Sequence, residues 1–313
     1  MCGARSWEHL FDSRSFPIAR CSGCNLVRTL DVHDDGVTTY PHFDQRETAI
    51  VKMMRFAVTQ LLRERASIVS KVASKVTSRN QTAPRPRLLD VGCGSGAFAR
   101  MMSTRGFDAV GVEPFSLGRP VKEAHLELIR ATFDDVKADL GKFDVVTMWH
   151  VLEHIPDPKT LLQGVLDVLS PDGTMVISVP NFASWQSRVF KGGWFHLDPP
   201  RHITHFDPTT FHALLDGLDL EIASERTFHF EYGPVGWLQS TLNRVLRPNF
   251  LFEFVKDRGA LANVPLRETA LNLLASGAVG AALAGPFVAV EAAAGAVGAG
   301  SVITACVQRR RGA

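Results

Sequence analysis

The chain has 313 residues, of which 45% are hydrophobic and 21% are charged, so it can bury a large core and is not a disordered protein. Its formal net charge of +2 is nearly balanced, and we therefore expect no nucleic-acid partner. Five cysteines, an odd number, argue against a disulfide framework and favour a reducing cytoplasm. The first residues mix charges and lack an apolar run, so no signal peptide is expected.

The N-terminal arm contains Cys2, Cys21 and Cys24. The last two form a C-x-x-C knuckle, whose spacing lets two thiolates share one tetrahedral metal ion. Cys2 resembles half of a second knuckle, so a zinc site here would be one ligand short. His9, His33 or a residue encoded upstream could complete it. One alternative is a knuckle that has lost its ligands in evolution. The other, which is the simplest, is that these cysteines bind no metal and lie in a loop-rich arm.

A helix and a linker are predicted next. Apolar residues recur every three or four positions over 44–79, which indicates a helix with one apolar face. We interpret the other, basic face as solvated surface and rank phosphate or membrane contact below this. The basic residues are Lys52, Arg55, Arg63, Arg65, Lys71 and Lys75. The polar, proline-bearing run 78–87 is typical of a linker.

A glycine-rich turn organises the rest of the chain. A short apolar run ends at Asp90 and opens into Gly92, Gly94 and Gly96, and a helix is predicted over 97–105. Glycines let a ligand lie directly on the main chain, beside the N–H groups that begin the helix. The carboxylate at the end of the strand can accept hydrogen bonds from a cationic or hydroxylated ligand.

Two further strands are predicted to follow. The strand over 107–114 ends in Glu113, about twenty residues beyond the glycines, where a carboxylate can bind both hydroxyls of a ribose. The strand over 126–131 leads to Phe133 and Asp134, which could lie against the face and amino group of a purine ring. For Asp134, an ordinary acidic residue in a surface loop is an equally good interpretation.

The fourth predicted strand, 143–148, places Trp149 and His150 at the edge of the sheet where ligands bind in open α/β folds. The string from His150 to His154 also matches H-x-x-E-H, the motif of inverted zinc proteases. The context argues against this interpretation, because the string follows a strand and soon reaches Pro156. The protease motif needs a sustained helix and a third metal ligand.

The alternation of strands and helices continues through a helix over 161–169 and a strand over 174–180, which predicts a parallel sheet covered on both faces. The segment 181–208 is irregular and rich in tryptophan and histidine, and we call it the lid because it suits a substrate-facing cover. A helix over 209–215 and a sixth strand over 220–233 are predicted after it.

The C-terminal part is apolar. Ala270 to Val290 is uncharged and long enough to cross a bilayer, but it is rich in alanine and glycine and contains Pro286. We rank a helix buried against the domain first, an in-plane or re-entrant membrane contact second and a true span third. A final strand is predicted over 301–308, and the basic tail 309–311 is either solvated or in contact with anionic lipid.

The chain resembles the class I S-adenosylmethionine-dependent methyltransferases through DVGCGSG, GVEP, FDVVTMWHVLEHIPDP, GTMVISVPN and DPPRHITHF. Within that class it is similar to the small-molecule ubiquinone and sugar methyltransferases, several of which carry an N-terminal zinc-binding cysteine arm. The resemblance implies an α/β, Rossmann-like, doubly wound and mostly parallel sheet of seven strands with a reversed last hairpin. A nicotinamide cofactor is not favoured, because the dinucleotide fingerprint needs a third glycine where Ala97 and Phe98 follow Gly96.

The resemblance implies S-adenosylmethionine as the cofactor. The implied ligands are Asp90, Gly92 and Gly94 for its methionine moiety, Glu113 for its ribose, Phe133 and Asp134 near its adenine, and Trp149 and His150 as the floor. His154 is expected to order the loop after the fourth strand. Structural zinc on Cys2, Cys21 and Cys24 remains an additional expectation.

Methyl transfer is an in-line displacement at a sulfonium carbon, so a base is needed only for a hydroxyl or an acidic carbon acceptor. Some sugar C-methyltransferases take a catalytic histidine from an E-H-x-x-Y-F string, and the string from Arg201 to Phe206 is similar, with Arg for Glu and His for Tyr. We therefore expect His202 as the base and His196 and His205 as alternates. Hydrogen bonding within the lid is the competing role, and O- versus C-methylation stays open.

We expect a cytoplasmic enzyme that methylates a small or lipid-linked acceptor, with membrane contact through the C-terminal apolar stretch as an open alternative. The rival hypothesis is a membrane-associated or zinc-bearing binding protein that keeps the cofactor fold without turnover. The expected parts are a cysteine arm 1–43, a helix and linker 44–86, a core 87–233 containing the lid, an apolar helical insertion 234–300, and the last strand with a basic tail 301–313.

Overall fold

The structure is a computed structural model that describes residues 6–32, 62–74, 85–115, 119–230, 232–246, 248–250 and 264–310. Within these ranges the strands are β1 (Trp7–Ser13), β2 (Phe16–Cys21), β3 (Val27–Thr29), β4 (Arg87–Val91), β5 (Asp108–Val112), β6 (Val121–Glu123), β7 (Leu126–Ile129), β8 (Phe143–Trp149), β9 (Leu169–Pro180), β10 (Thr204–His205), β11 (Leu220–Arg226) and β12 (Val302–Arg309). The helices are α1 (62–74), α2 (Ala97–Thr104), α3 (Phe133–Val136), α4 (Pro158–Val168), α5 (Trp185–Phe190), α6 (Pro208–Asp216), α7 (Tyr232–Leu242) and α8 (Leu266–Ala296).

The main sheet has the strand order β11-β12-β9-β8-β4-β5-β7-β6 in the described part of the chain. The central strands pair in parallel, and β12 runs antiparallel to both β9 and β11. This confirms the doubly wound, mostly parallel sheet with a reversed last strand. The sheet has one strand more than predicted, because β6 adds an antiparallel edge to β7. That strand is three residues long and mostly exposed, so it carries no hydrophobic pattern.

Successive residues of the central strands face opposite sides of the sheet. Leu89 and Val146 contribute to a core cluster that includes apolar residues of α4. Leu88 and Val145 contribute to a second cluster with residues of α1 and α2, among them Phe98. Because strands in a parallel sheet are buried on both faces, their sequences read as continuous apolar runs. The same burial fixes where each strand ends, and so positions the turns at the carboxyl edge.

The N-terminal arm forms a second sheet, with the order β1-β2-β3-β10 among the described residues. The expectation of a loop-rich arm is therefore wrong over 6–32. β10 belongs to the lid and pairs antiparallel with β3, Thr204 opposite Arg28 and His205 opposite Val27. The arm and the lid thus hold each other through backbone hydrogen bonds.

Two of the three predicted zinc ligands lie at the turn between β2 and β3. Cys21 is 3% exposed at the end of β2, and its carbonyl accepts a hydrogen bond from Asn25 N at 2.9 Å. Cys24 is half-buried a few residues later. Cys2 and the candidate ligand His33 lie outside the described residues, so the zinc knuckle stays a prediction.

The sixth strand is shorter than predicted. β11 ends at Arg226, where its pairing with β12 ends, and the helix α7 begins at Tyr232 instead of a continued strand. Gly233 explains the close packing of α7, because a Cβ at this position would lie 2.3 Å from Cγ of Glu291 in α8. The apolar pattern over 220–233 does not distinguish a strand from a strand followed by a buried helix.

The apolar C-terminal stretch lies in α8, a 31-residue helix that contains Pro286. Within the described residues, Arg267–Ala296 has the length and composition to cross a membrane, with a mean hydropathy of 1.9 over its most apolar window. Only 6% of that window is buried. The first-ranked interpretation, a helix buried against the domain, is therefore wrong for most of this stretch as far as the described residues cover it.

Candidate active site

The glycine-rich turn follows β4 with left-handed backbone at Gly92 (φ +70°), Gly94 (φ +55°) and Gly96 (φ +76°). A Cβ at the first position would lie 2.5 Å from Cγ2 of Val151, and one at the third would lie 2.5 Å from Cδ1 of Leu128. At the middle position a Cβ would have no heavy atom within 4 Å. The turn is therefore packed at both ends and open at its centre, where a ligand can approach the main chain.

Asp90 is buried at the carboxyl end of β4, with 2% of its surface exposed. Thr147 Oγ1 on β8 donates a hydrogen bond to its Oδ1 at 2.7 Å. Burial raises the pKa of Asp90 to about 7, although the Thr147 hydrogen bond and the charge of Arg65 oppose this rise. A carboxyl group with this pKa can be ionised near neutral pH by a cationic ligand.

Glu113 follows β5 and is 5% exposed. Its Oε2 accepts a hydrogen bond from Gly94 N at 3.1 Å, and its Oε1 accepts one from Phe115 N at 2.9 Å. The carboxylate is thus fixed by the backbone of the glycine turn on one side and by its own loop on the other. The negative charge of Glu113 also contributes to the raised pKa of Asp90, so the two predicted carboxylates lie in one site.

Trp149 and His150 lie at the end of β8, as predicted. Trp149 is 7% exposed, and its ring meets that of Phe98 edge-on, with centroids 5.6 Å apart. In the described part of the chain its buried Nε1–H has no hydrogen-bond acceptor. His150 has left-handed backbone (φ +57°), its Nδ1 lies 3.0 Å from Glu153 Oε1, and its ring centroid is 4.3 Å from that of Tyr232. The rings of Trp149 and His150 form the floor of the candidate site, and the Nε1–H group of Trp149 remains available as a donor among the described residues.

Two residues of this site are missed by sequence reasoning. The guanidinium of Arg65, in α1, lies 5.0 Å from the centroid of the Trp149 ring, and its Nη2 donates to Tyr232 Oη at 3.4 Å. The interpretation of the basic face as solvated surface is wrong for this arginine. It precedes the buried Val69 by four residues, so it shares the inward face of the helix, and that spacing was the available signal. Tyr232 carried no signal, because it fell within a predicted strand.

Phe133 and Asp134, the two residues expected near adenine, are not part of this group of site residues. Phe133 is 6% exposed and packs towards α4, where its Cε1 lies 3.3 Å from the position of a Cβ at Gly164. Asp134 is on the surface, and its Oδ1 accepts from Lys137 Nζ at 2.7 Å. Their role near adenine stays a prediction, and this placement gives it no support.

The lid histidines are buried and held by hydrogen bonds. His202 Nδ1 donates to the carbonyl oxygen of His196 at 2.7 Å, and His196 Nε2 donates to the carbonyl oxygen of Tyr232 at 3.2 Å. Burial lowers the pKa of His202 to about 3, assisted by His154, and lowers the pKa of His196 to about 3, assisted by His150. Both imidazoles are therefore neutral at physiological pH and bind a proton weakly.

The third candidate base pairs with the N-terminal arm. His205 lies in β10, its Nε2 is 2.9 Å from Thr29 Oγ1, and burial and then Arg28 lower its pKa to about 3. His154 Nδ1 donates to the carbonyl oxygen of Arg201 at 2.9 Å, which ties the loop after β8 to the lid. The role of a lid histidine as the base stays a prediction, and the low pKa values favour other roles.

Comparisons with known proteins identify relatives of this chain. A family model described as a methyltransferase domain matches residues 60–225. The ubiquinone biosynthesis O-methyltransferase of Cereibacter sphaeroides (strain ATCC 17025) is 30% identical over 209 residues, which are 61% of this chain and 83% of that protein. That of Ruegeria pomeroyi is 30% identical over 186 residues, 55% of this chain and 74% of that protein. A proposed sarcosine dimethylglycine methyltransferase structure from Galdieria sulphuraria has a TM-score of 0.50 at 13% identity, covers 84% of this chain and 91% of that chain, and shows the fold alone.

The chain belongs to the methyltransferase domain family of S-adenosylmethionine-dependent methyltransferases. S-adenosylmethionine is its cofactor. The site fits that molecule, which carries a sulfonium, an ammonium group and a ribose diol. Asp90 and Glu113 offer buried carboxylates, Trp149 Nε1 is a buried donor without an acceptor in the described residues, and the turn is open at Gly94.

Proposed function

We propose that the chain transfers the methyl group of S-adenosylmethionine to a ring hydroxyl of a lipid-linked acceptor at a membrane surface. The observation that carries the proposal is the exposed, uncharged stretch of α8, which is attached beside the candidate active site. The names of the relatives support oxygen as the nucleophile and a quinone-type ring as the acceptor, since these proteins are O-methyltransferases of ubiquinone biosynthesis.

The stretch of α8 between Glu268 and Glu291 contains no charged residue. At about 1.5 Å per residue it is roughly 30 Å long, comparable to the hydrocarbon thickness of a bilayer. Leu271 is 61% exposed and Leu274 is 73% exposed, so large apolar side chains face outward. Contact with lipid would remove this surface from water, and the favourable free energy grows with the apolar area covered.

Glu291 attaches this stretch to the rest of the domain. The carboxylate is 1% exposed, and its Oε2 accepts from Trp237 Nε1 at 2.9 Å and from Gln186 Nε2 at 3.0 Å. Trp237 belongs to α7, whose first residue, Tyr232, contacts the ring of His150. An acceptor whose tail lies in lipid beside α8 would therefore have its head group close to the floor of the site.

The cofactor supplies an electrophilic methyl carbon, and the chain's own residues align it and exclude water. We assign Asp90 to the cationic end of the methionine moiety, with Gly92 and Gly94 against its backbone. We assign Glu113 to the ribose hydroxyls. Arg65, over Trp149, is positioned to bind an anionic group such as the methionine carboxylate.

A hydroxyl acceptor must lose its proton during transfer. We assign His150 as the base that accepts this proton. Its ring faces Tyr232, and its Nδ1 is fixed by the buried carboxylate of Glu153. A carboxylate behind an imidazole fixes the ring orientation and stabilises the imidazolium that forms. The sequence-based candidates His202, His196 and His205 bind lid or arm groups instead.

The test compares two acceptors that share one catechol ring, one carrying a polyprenyl chain in liposomes and one without the chain in solution. We measure transfer of labelled methyl from S-adenosylmethionine. The expected result is transfer to both, with kcat/KM for the prenylated acceptor at least about tenfold higher. Equal rates would refute the lipid-linked acceptor, and no transfer to either ring would refute the ring hydroxyl as the group that accepts the methyl.

The variant Leu274→Glu tests the membrane surface directly. It should abolish flotation of the protein with liposomes and lower transfer to the prenylated acceptor, because burying a charge in lipid is unfavourable. Affinity for S-adenosylmethionine should not change. Val245→Glu is the matched control, since Val245 is an apolar residue outside α8 that is 75% exposed. Flotation of Leu274→Glu like the unaltered chain would contradict the proposal.

A further inference from the structure

We propose that Glu153, His154 and His202 bind a first-row divalent metal ion of the Zn²⁺ type. One ligand atom from each side chain lies within 4.8 Å of the others. The first two residues lie in the short 3₁₀ turn Leu152–His154 after β8, and the third comes from the lid. The site would therefore join the floor of the active site to the segment that covers it.

Glu153 is the group that a bound cation would stabilise. It is 1% exposed, and its Oε1 lies 3.0 Å from His150 Nδ1. Its Oε2 is buried and has no hydrogen-bond partner among the residues that the structure describes. Leaving a carboxylate oxygen buried without a partner is costly, and such groups in proteins are paired or bind metal ions. A metal ion at Oε2 would leave Oε1 available to His150.

The two imidazoles are oriented as metal ligands commonly are. His154 Nδ1 lies 2.9 Å from the carbonyl oxygen of Arg201, and His202 Nδ1 lies 2.7 Å from that of His196. A carbonyl oxygen only accepts hydrogen bonds, so Nδ1 carries the hydrogen in both rings. With Nδ1 carrying the hydrogen, Nε2 is the ring atom that can bind a metal ion. The backbone bonds also hold the rings in place before any ion binds.

The donor set favours one class of ion. Two imidazole nitrogens and one carboxylate oxygen suit Zn²⁺ and neighbouring first-row metals, whereas Mg²⁺ and Ca²⁺ prefer oxygen ligands. The H-x-x-E-H string thus contributes ligands, although not as in a protease, because His150 faces Glu153 and His202 completes the set. The rival explanation is a buried His150–Glu153 pair that needs no metal.

Titration of the full chain tests the proposal. Protein treated with a chelator is titrated with ZnCl₂ by calorimetry and with CoCl₂ by visible absorption. The double variant Cys21→Ser/Cys24→Ser removes thiolate ligands, and it should still bind one equivalent of metal, with cobalt bands that lack thiolate charge transfer. Glu153→Gln and His202→Ala should weaken this binding on the order of 100-fold or more.

His212→Ala is the matched control, because it removes a histidine that also meets a carboxylate, Glu225, at 2.7 Å on the surface. It should bind metal like the unaltered chain. If Glu153→Gln does not fold, the half-buried His154 allows the substitution His154→Ala with the same expected loss. No metal equivalent in the cysteine double variant, or equal affinity in Glu153→Gln or His154→Ala, would overturn the proposal. The readout is metal binding, so it does not depend on the proposed acceptor.

Discussion

The clearest test of the site's electrostatics is the substitution Asp90→Asn. Burial raises the pKa of this carboxyl from 3.8 to about 7. Below about pH 4 the group is protonated in both the folded and the unfolded chain, so it imposes no penalty. As the pH rises towards 7 the unfolded chain releases the proton first, and the folded state loses stability. Above pH 7 the penalty is constant, about three pH units at about 1.4 kcal/mol each, or about 4 kcal/mol.

Asparagine removes this penalty without changing the shape of the site. Thr147 Oγ1, which donates to Asp90 Oδ1 at 2.7 Å, can donate to the amide oxygen in the same way. Without cofactor, the variant should therefore exceed the unaltered chain in free energy of unfolding by up to about 4 kcal/mol at pH 8. Near pH 4 the variant and the unaltered chain should have similar free energies of unfolding. Urea denaturation at several pH values measures the difference, and a difference that does not change between pH 4 and pH 8 would refute the reasoning.

The same substitution predicts how cofactor binding depends on pH. A cationic cofactor favours the ionised form of Asp90, so binding must release a proton below about pH 7. The affinity of the unaltered chain should then fall about tenfold per pH unit below 7, whereas Asp90→Asn should bind more weakly and without this slope. Calorimetry in two buffers with different ionisation enthalpies counts the released protons. The same slope in both proteins would show that another group carries it.

Two further predictions concern the glycine-rich turn and Glu291, which attaches α8 to the domain. Gly96→Ala should cost about 1–3 kcal/mol of stability and weaken cofactor binding, because φ is +76° and the new Cβ would lie 2.5 Å from Leu128 Cδ1. Gly94→Ala has a similar φ but open space, so thermal unfolding should show a smaller loss, and equal losses would contradict the packing argument. Glu291→Ala should cost about 1–3 kcal/mol or more, because Trp237 Nε1 and other buried donors lose their acceptor. Glu291→Gln keeps one oxygen acceptor, so urea denaturation should show a smaller loss of unfolding free energy. Equal losses in the two variants would refute the argument that these hydrogen bonds attach α8 to the domain.

The predictable part of the fold is the part whose pattern is local. β4, β5 and β8 are short runs of mainly apolar residues, and the sheet buries both of their faces. The N-terminal sheet has no such pattern, since β1 mixes half-buried and exposed residues without a regular period and β10 is two residues long. Its order depends on pairing between the arm and the lid, which are far apart in sequence. Long-range pairing of this kind cannot be inferred from one sequence.

The candidate site divides in the same way. Asp90, Glu113, Trp149 and His150 were predictable because parallel strands end at one edge, so residues at their carboxyl ends must meet. Arg65 reaches that edge from a helix that precedes the sheet, and its contact with Trp149 depends on how the helix packs. The grouping of Glu153 with His202 likewise depends on the path of the lid, which sequence spacing does not encode.

The left-handed backbone of His150 connects these observations. A non-glycine residue with φ +57° costs on the order of 1 kcal/mol or more, and it persists only where its surroundings hold it. Here its N–H donates to Ser178 O at 2.9 Å, its Nδ1 meets Glu153 and its ring packs on Tyr232. These contacts come from β9, the loop after β8 and α7. A histidine fixed from three directions has lost the freedom that a loop residue usually keeps, and a fixed ring is what proton transfer to an aligned acceptor requires.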